Sequence, residues 1–323
     1  MDFATRIRVF LKNNKKTKKL FEYGRRIHRN NKYKNAFDYS GSFDNRQKGS
    51  SKLCIVLAGY KEFLYPTVFG RLEHFIDDEI DVCIITSGKF SDAISRLCEK
   101  NKWSYLSTKE NNVSLVQNVA INLHPHADFI FKLDEDIFIT KGFFEKMIKA
   151  YYHAEAGPYN PGVMAPLIPI NGFGNYRILE LKGLLEDYSI RFEKPMYEAG
   201  PHRQIENNPL AAEYMWNNIN IDELNYELEQ YPAKEMPCPI RFSIGAILFR
   251  RGLWERMGYF SVDRSTNAMG KDEAELNYFC NQYSQPIMIS ENIVVGHFSF
   301  GPQTERMKQF YNEHPECFRL QDR

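Results

Sequence analysis

Three consecutive acidic residues, Asp134-Glu135-Asp136, stand between two apolar runs of the chain. The run before them, 129–133, is rich in β-favouring residues and predicts a buried strand. Because adjacent carboxylates repel one another, we expect a positive group at this point. Asp134 and Asp136 fall on the same side of an extended segment, where they could hold a divalent cation that also binds a substrate diphosphate. The alternative is an exposed acidic turn.

Strands and helices alternate around this acidic triplet. Apolar runs predict strands at 53–58, 81–86, 103–108 and 128–133, and amphipathic patterns predict helices at 66–76, 91–101 and 114–123. This alternation indicates a parallel sheet covered on both faces. The triplet then lies at the carboxyl edge of the sheet, where α/β proteins bind ligands.

The second half of the chain is less regular. A helix is predicted at 143–152 and a short strand at 163–168, and residues 171–240 mix two helical stretches, 178–188 and 209–218, with Pro-rich loops. A strand over 242–251 carries Gly245 in its middle, which favours close approach of another chain or a ligand. Helices at 252–257 and 273–283 and two short strands, 286–289 and 293–295, are predicted after it.

The composition of the 323 residues is that of a soluble globular protein, with 43% hydrophobic and 26% charged residues. No apolar segment approaches the roughly 18 residues needed to span a bilayer, and the first residues lack the apolar core of a signal peptide. The six cysteines contain no C-x-x-C pair, which is typical of reduced thiols. These features predict a cytoplasmic protein.

Charge is distributed unevenly along the chain. Residues 1–50 hold 14 Lys and Arg against 4 Asp and Glu, a balance of 14 − 4 = +10, whereas the remainder carries (42 − 14) − (41 − 4) = −9. Apolar residues at helical spacing among the basic ones predict an amphipathic helix in 1–34 that binds an anionic membrane surface, with a solvated tail as the alternative. No nucleic-acid reader motif accompanies the charge, so we expect no nucleic-acid partner.

These patterns divide the chain into three parts. Residues 1–50 form a basic arm and a linker, with the linker over 35–52; residues 51–300 form the main domain; and residues 301–323 form a helical tail. Within the main domain, the irregular segment 171–240 is expected to contact the substrate and to vary between proteins that use different substrates.

The order of these motifs resembles that of family-2-like glycosyltransferases of the GT-A fold, from about residue 53 to residue 300. The acidic triplet stands where that family has its D-x-D metal motif. The strand 243–251, followed by Leu253-Trp254 and Gly258-Tyr259-Phe260, resembles the segment beside the acceptor site. The resemblance implies an α/β fold with a Rossmann-like, mostly parallel nucleotide-binding sheet flanked by helices, preceded here by the basic helical arm.

The resemblance also implies roles for individual residues. Mn²⁺ or Mg²⁺ would be bound by Asp136, with Asp134 as a metal or ribose contact and Glu135 pointing away beside the nucleotide. The late His297 would bind the metal or the diphosphate, and an ordinary packed or surface histidine is the alternative. Asp272 would be the catalytic base and Glu273 its substitute, although an ordinary acidic helix cap is the alternative. The residues expected to line the nucleotide pocket are Ala58, Tyr60, Lys61 and Asn118.

The implied activity is the transfer of a sugar from a nucleotide-diphosphate donor, most commonly a UDP-sugar, to a saccharide or lipid-linked acceptor. A positioned base favours inversion in one displacement, and the setting would be surface polysaccharide or glycolipid assembly at the inner face of the membrane. Two departures weaken the match: Thr86-Ser87-Gly88 replaces the family's nucleoside-reading aspartates, and Gln117 stands near a usual arginine. A nucleotidyltransferase or an inactive binding protein of the same fold therefore stays open.

Overall fold

The computed structural model describes residues 35–263 and 270–320. Its strands are β1 (Gly41–Asp44), β2 (Lys52–Ala58), β3 (Asp81–Ser87), β4 (Ser104–Thr108), β5 (Phe129–Asp134), β6 (Ile137–Phe138), β7 (Val163–Leu167), β8 (Glu235–Pro237), β9 (Ala246–Arg250), β10 (Ile287–Val294) and β11 (Gly296–His297). The long apolar runs form the central strands, and every residue of β3 is buried.

Helices fill the connections between these strands. They are α1 (Tyr65–Phe75), α2 (Asp92–Asn101), α3 (Val113–Leu123), α4 (Phe143–Ala156), α5 (Gly172–Leu181), α6 (Leu185–Arg191), α7 (Gln204–Asn207), α8 (Pro209–Asn218), α9 (Ile221–Leu228), α10 (Arg251–Met257), α11 (Lys271–Gln282) and α12 (Thr304–Glu313). Short 3₁₀ turns occur at Glu62–Leu64, Gly301–Gln303 and Pro315–Cys317. No helix among the described residues is long and apolar enough to cross a membrane.

Nine strands form one sheet in the order β1-β4-β3-β2-β5-β9-β7-β10-β8. The six strands β2, β3, β4, β5, β7 and β10 run in the same direction, whereas β1, β8 and β9 run against them. The expectation of a mostly parallel α/β sheet flanked by helices is therefore confirmed. A second, two-stranded sheet pairs β6 with β11.

The direction of β9 adds an antiparallel strand inside the mostly parallel sheet that the sequence predicted. The chain reaches β9 at the carboxyl edge of β5, where the amide of Asp134 donates to the carbonyl oxygen of Gly245 at 2.8 Å. From that edge the chain runs back between β5 and β7 as an antiparallel strand. The strand is also shorter than predicted, because residues 242–245 form the loop that leads into it.

Other boundaries differ in small ways. The predicted linker over 35–52 contains β1, which pairs antiparallel with β4 as an edge strand of the sheet. The two short strands predicted at 286–289 and 293–295 are one strand, β10, with an irregularity between Ser290 and Val294. The basic arm predicted over residues 1–34 lies outside the described residues.

A buried arginine ties three parts of the chain together. The guanidinium of Arg71, on α1, forms a bidentate ion pair with Asp222 on α9, with both N–O distances at 2.8 Å. It also donates to the carbonyl oxygens of Ile139, Phe318 and Arg319, at 3.1, 3.3 and 3.2 Å. Only 1% of Arg71 is exposed. The arginine therefore fastens the segment after β6 to the last described residues of the chain.

Candidate functional site

The acidic triplet forms a turn between β5 and β6, and both neighbouring strands hold its backbone. The amide of Asp134 donates to Gly245 on one side, and the amide of Glu135 donates to the carbonyl oxygen of Leu57 on the other, at 3.0 Å. A Cβ at position 245 would lie 3.2 Å from Ile137 Cδ1, a tight contact, and 3.5 Å from Asp134 Oδ2, an ordinary one, so glycine relieves crowding against Ile137. The three carboxylates then leave the turn in three directions.

Glu135 holds the loop that follows β2. Its carboxylate accepts hydrogen bonds from the amides of Gly59 and Tyr60, at 2.8 and 2.9 Å, and from the hydroxyl of Tyr65 at 3.2 Å. Burial raises the pKa of Glu135, although the backbone amides of the loop oppose this rise. Because both oxygens are used by the protein, we reassign Glu135 from nucleotide contact to positioning of this loop.

Asp136 is almost completely buried and is paired with two basic side chains. The ammonium group of Lys61 contacts its carboxylate, and His297 Nε2 lies 3.4 Å from Asp136 Oδ2. Burial alone would raise the pKa of Asp136, but the charges of Lys61 and His297 hold it well below its usual value. Asp136 is therefore an ionised carboxylate facing a cation.

The pairing of β6 with β11 brings His297 to this position, with His297 opposite Ile137 in the ladder. The other ring nitrogen, Nδ1, lies 3.1 Å from the carbonyl oxygen of Ile170. Because a carbonyl oxygen only accepts, Nδ1 carries the hydrogen, and in the neutral ring Nε2 presents its lone pair to the same space as Asp136. This is how a protein orients a metal-binding histidine.

Asp134 has a different partner from Asp136. Its Oδ1 lies 2.5 Å from the ammonium group of Lys132, a buried lysine of β5 that also donates to the carbonyl oxygen of Ile244 at 2.9 Å. Burial raises the pKa of Asp134 despite this lysine. Burial would lower the pKa of Lys132, but Asp134 and the acids at positions 272 and 273 raise it, so the lysine stays charged.

The predicted base, Asp272, lies on the first turn of α11 and is 5% exposed. Its Oδ2 accepts a hydrogen bond of 2.7 Å from the amide nitrogen of Gln117, a fully buried residue of α3. The neighbouring Glu273 forms an ion pair with Arg241 at 2.7 Å. Of the two acids, Glu273 is thus neutralised by a cation, whereas Asp272 is held by a neutral amide.

The residues expected around the nucleotide do not all lie in one place. Ala58 ends β2 and Tyr60 follows it, with the tyrosine side chain 61% exposed and its hydroxyl bonded to the carbonyl oxygen of Ser87 at 2.9 Å. Asn118, in contrast, is fully buried in α3. Its Oδ1 accepts from the amide of Phe260 and the indole nitrogen of Trp254, and its Nδ2 donates to the carbonyl oxygen of Phe260, so these contacts hold the side chain in the core.

The donors around Asp136 suit a divalent cation. No group of three or more His, Cys, Asp or Glu side chains in 35–263 and 270–320 is arranged to hold a metal. However, Mg²⁺ and related ions are commonly bound by one or two protein ligands together with substrate phosphates. Asp136 and His297 provide two such ligands, and the ammonium group of Lys61 already stands there as a cation. The site therefore fits a metal that a diphosphate completes.

Comparison with known proteins gives matches to solved structures alone. No protein-family model and no curated protein matches the chain. The chain is similar to the mannosyltransferase PcManGT from Pyrobaculum calidifontis, a complex with GDP-Man and Mn²⁺, at 14% identity and a TM-score of 0.45, over 86% of this chain and 64% of that one. It is also similar to TarS from S. aureus, at 12% identity and a TM-score of 0.44, over 84% of this chain and 40% of that one.

A fragment of TarS in complex with UDP matches at 12% identity and a TM-score of 0.42, over 76% of this chain and 60% of that one. This chain thus spans between 40% and 64% of the chains it matches. At TM-scores below 0.5, these similarities decide neither substrate nor mechanism.

The roles of two residues in the site were not predicted from the sequence. Lys132 is the single charge in the apolar run before the triplet, and that anomaly was a usable signal, because a charge in a buried strand requires a partner. Gln117 was noted as a departure from the family, but its contact with Asp272 joins α3 to α11 across the fold and has no local sequence signal.

Proposed function

We propose that the protein is a metal-dependent glycosyltransferase that moves a sugar from a nucleotide-diphosphate donor to a saccharide or lipid-linked acceptor. The observation that carries the proposal is the convergence of Asp136 and His297 at the carboxyl edge of β5, with Asp272 within electrostatic reach of Lys132 and Asp134. Donor phosphates, a cation and a proton acceptor are the groups that such a transfer requires.

The division of labour follows from the partners of each residue. Asp136 and His297 would hold Mn²⁺ or Mg²⁺, which neutralises the charge that develops on the leaving diphosphate. Glu135 keeps the loop of Gly59 and Tyr60 in place beside it. Asp272 would accept the proton of the attacking acceptor hydroxyl, and one in-line displacement would invert the anomeric carbon.

The acceptor would approach from the segment 171–240. Glu206, on α7, is buried and within electrostatic reach of Arg241 and Glu273, and burial raises its pKa. Its carboxylate accepts a hydrogen bond of 3.0 Å from the amide of Gly200. These polar groups thus lie within electrostatic reach of Glu273, the neighbour of the proposed base.

The test is a screen of nucleotide-sugars for Mn²⁺-dependent release of the nucleoside diphosphate. We expect the protein to release nucleoside diphosphate from one donor class, because a glycosyltransferase slowly transfers the sugar to water when no acceptor is present. Asp136→Ala should abolish this release and leave the circular dichroism spectrum unchanged. The control is Asp78→Ala, which removes a fully exposed aspartate. Pyrophosphate release from a nucleoside triphosphate would indicate a nucleotidyltransferase instead. Nucleotide binding without turnover of any donor would indicate a binding protein.

The basic arm gives a separate prediction about the membrane. We propose that residues 1–34 bring a cytoplasmic enzyme to the anionic inner face of the membrane, near a lipid-linked acceptor. Deleting these residues should weaken co-sedimentation with phosphatidylglycerol vesicles by about tenfold or more, because each Lys or Arg near such a surface contributes roughly 1 kcal/mol. Transfer to a soluble acceptor should stay unchanged. Equal vesicle binding by the two proteins would refute the proposal, and phosphatidylcholine vesicles provide the neutral control.

A further inference from the structure

The cation already present at Asp136 belongs to the chain itself. The ammonium group of Lys61 contacts the Asp136 carboxylate and lies 3.4 Å from the carbonyl oxygen of Ser299. The two side chains are 20% and 6% exposed, so the pair is largely shielded from water. Lys61 thus fills the space where the ligands Asp136 and His297 converge.

The backbone beside Lys61 and its ammonium group are held by separate contacts. Glu135 holds the preceding residues, Gly59 and Tyr60, by their amides. The four-carbon stem of Lys61 ends in an ammonium group that pairs with Asp136, lies 3.4 Å from the carbonyl oxygen of Ser299 and lies 6.0 Å from the centre of the Phe298 ring. A lysine side chain of this kind can exchange one anion for another without movement of the loop.

Charge decides when Lys61 and a metal can share the site. Without a donor, the single negative charge of Asp136 would face an ammonium group and a divalent cation, which repel each other at this distance. The two negative charges of a nucleotide-sugar's diphosphate would make the sum neutral. The diphosphate therefore removes the repulsion and offers Lys61 a new partner.

Resting on the metal dependence proposed above, we propose that Lys61 is a resident counter-ion that competes with the metal for Asp136 and moves to the donor diphosphate when the two bind. Metal and nucleotide then bind as a unit. By linkage, each raises the affinity for the other by the same factor. An empty enzyme keeps Asp136 paired and takes up little free metal.

The test measures Mn²⁺ binding by electron paramagnetic resonance of the full-length chain, with and without UDP or GDP. Wild-type protein should bind Mn²⁺ weakly alone and tightly with the nucleotide. Lys61→Met should bind Mn²⁺ alone about tenfold more tightly or better, the scale of a lost close charge pair. The matched control is Lys52→Met, at the other end of β2, where the lysine is 26% exposed and 2.8 Å from Glu79. It should behave as wild type.

The outcomes separate this inference from the proposed function. Equal affinity of wild type and Lys61→Met for Mn²⁺ alone would overturn the competition while leaving the transferase proposal intact. Absence of Mn²⁺ binding by both proteins, with and without nucleotide, would overturn the competition together with the metal dependence, and preserved nucleotide release would then indicate a metal-independent transferase. Gain of Mn²⁺ affinity in Lys61→Met, together with absence of nucleotide release by the wild-type protein from any donor, would support the competition and contradict the transferase proposal.

Discussion

Asp272→Asn should lower the turnover of sugar transfer by about 100-fold or more while donor binding stays nearly unchanged. The loss has the usual scale for removal of a general base, because an amide cannot take the proton of the acceptor hydroxyl. The fold should survive the change. The hydrogen bond from Gln117 to Oδ2 can be accepted by the amide oxygen of asparagine, so the junction between α3 and α11 is kept. The measurements are kcat for transfer and the Kd of the nucleoside diphosphate.

Glu273→Gln is the matched control, since it neutralises the adjacent carboxylate on the same helical turn. Its partner is Arg241, so we expect a change in turnover of less than about tenfold, the scale of a weakened, largely structural ion pair. A normal rate in Asp272→Asn together with a large loss in Glu273→Gln would transfer the role of base to Glu273. Normal rates in both variants would show that neither Asp272 nor Glu273 is the general base.

Arg71→Met should lower the free energy of unfolding by about 3–5 kcal/mol. The substitution leaves the Asp222 carboxylate and three carbonyl oxygens without their donor in a region that water barely reaches, and breaking a buried ion pair at one partner costs this much. Urea-induced unfolding followed by tryptophan fluorescence measures the effect. The variant should also become easier to cleave near Phe318, where the arginine holds the chain.

Arg96→Met is the control, because Arg96 lies exposed on α2 and its removal should change stability by no more than about 0.5 kcal/mol. The double variant Arg71→Met/Asp222→Leu should recover part of the loss, since the unpaired charge is then absent. Equal stability of Arg71→Met and wild type would show that the buried arginine contributes no net free energy.

The strands and helices between residues 52 and 134 could be predicted from the sequence to within a residue or two, because each strand is a continuous buried run. Edge strand β1 was missed for the opposite reason. Its sequence is short and polar, and only its pairing with β4 makes it a strand. The direction of β9 was also beyond local patterns, because it depends on the edge at which the chain re-enters the sheet.

The site could be predicted residue by residue only in part. The convergence of Asp136 with His297 followed from the family resemblance, and the geometry agrees with it. Asn118 shows the limit of such transfer. A polar residue on a helix beside the expected pocket can face either the pocket or the core. Here the hydrogen bonds of Asn118 with Trp254 and Phe260 place it in the core. The orientation of this side chain depends on tertiary packing, so local sequence patterns do not predict it.

The two-residue pairing of β6 with β11 has a consequence for biosynthesis. Ile137 and His297 are far apart in the chain, so His297 leaves the ribosome long after strand β6, with which it pairs. Contacts between such distant residues form late in folding. A nascent chain that already displays the acidic turn would therefore lack His297 beside Asp136, and under the proposed function such unfinished copies would lack the proposed metal site.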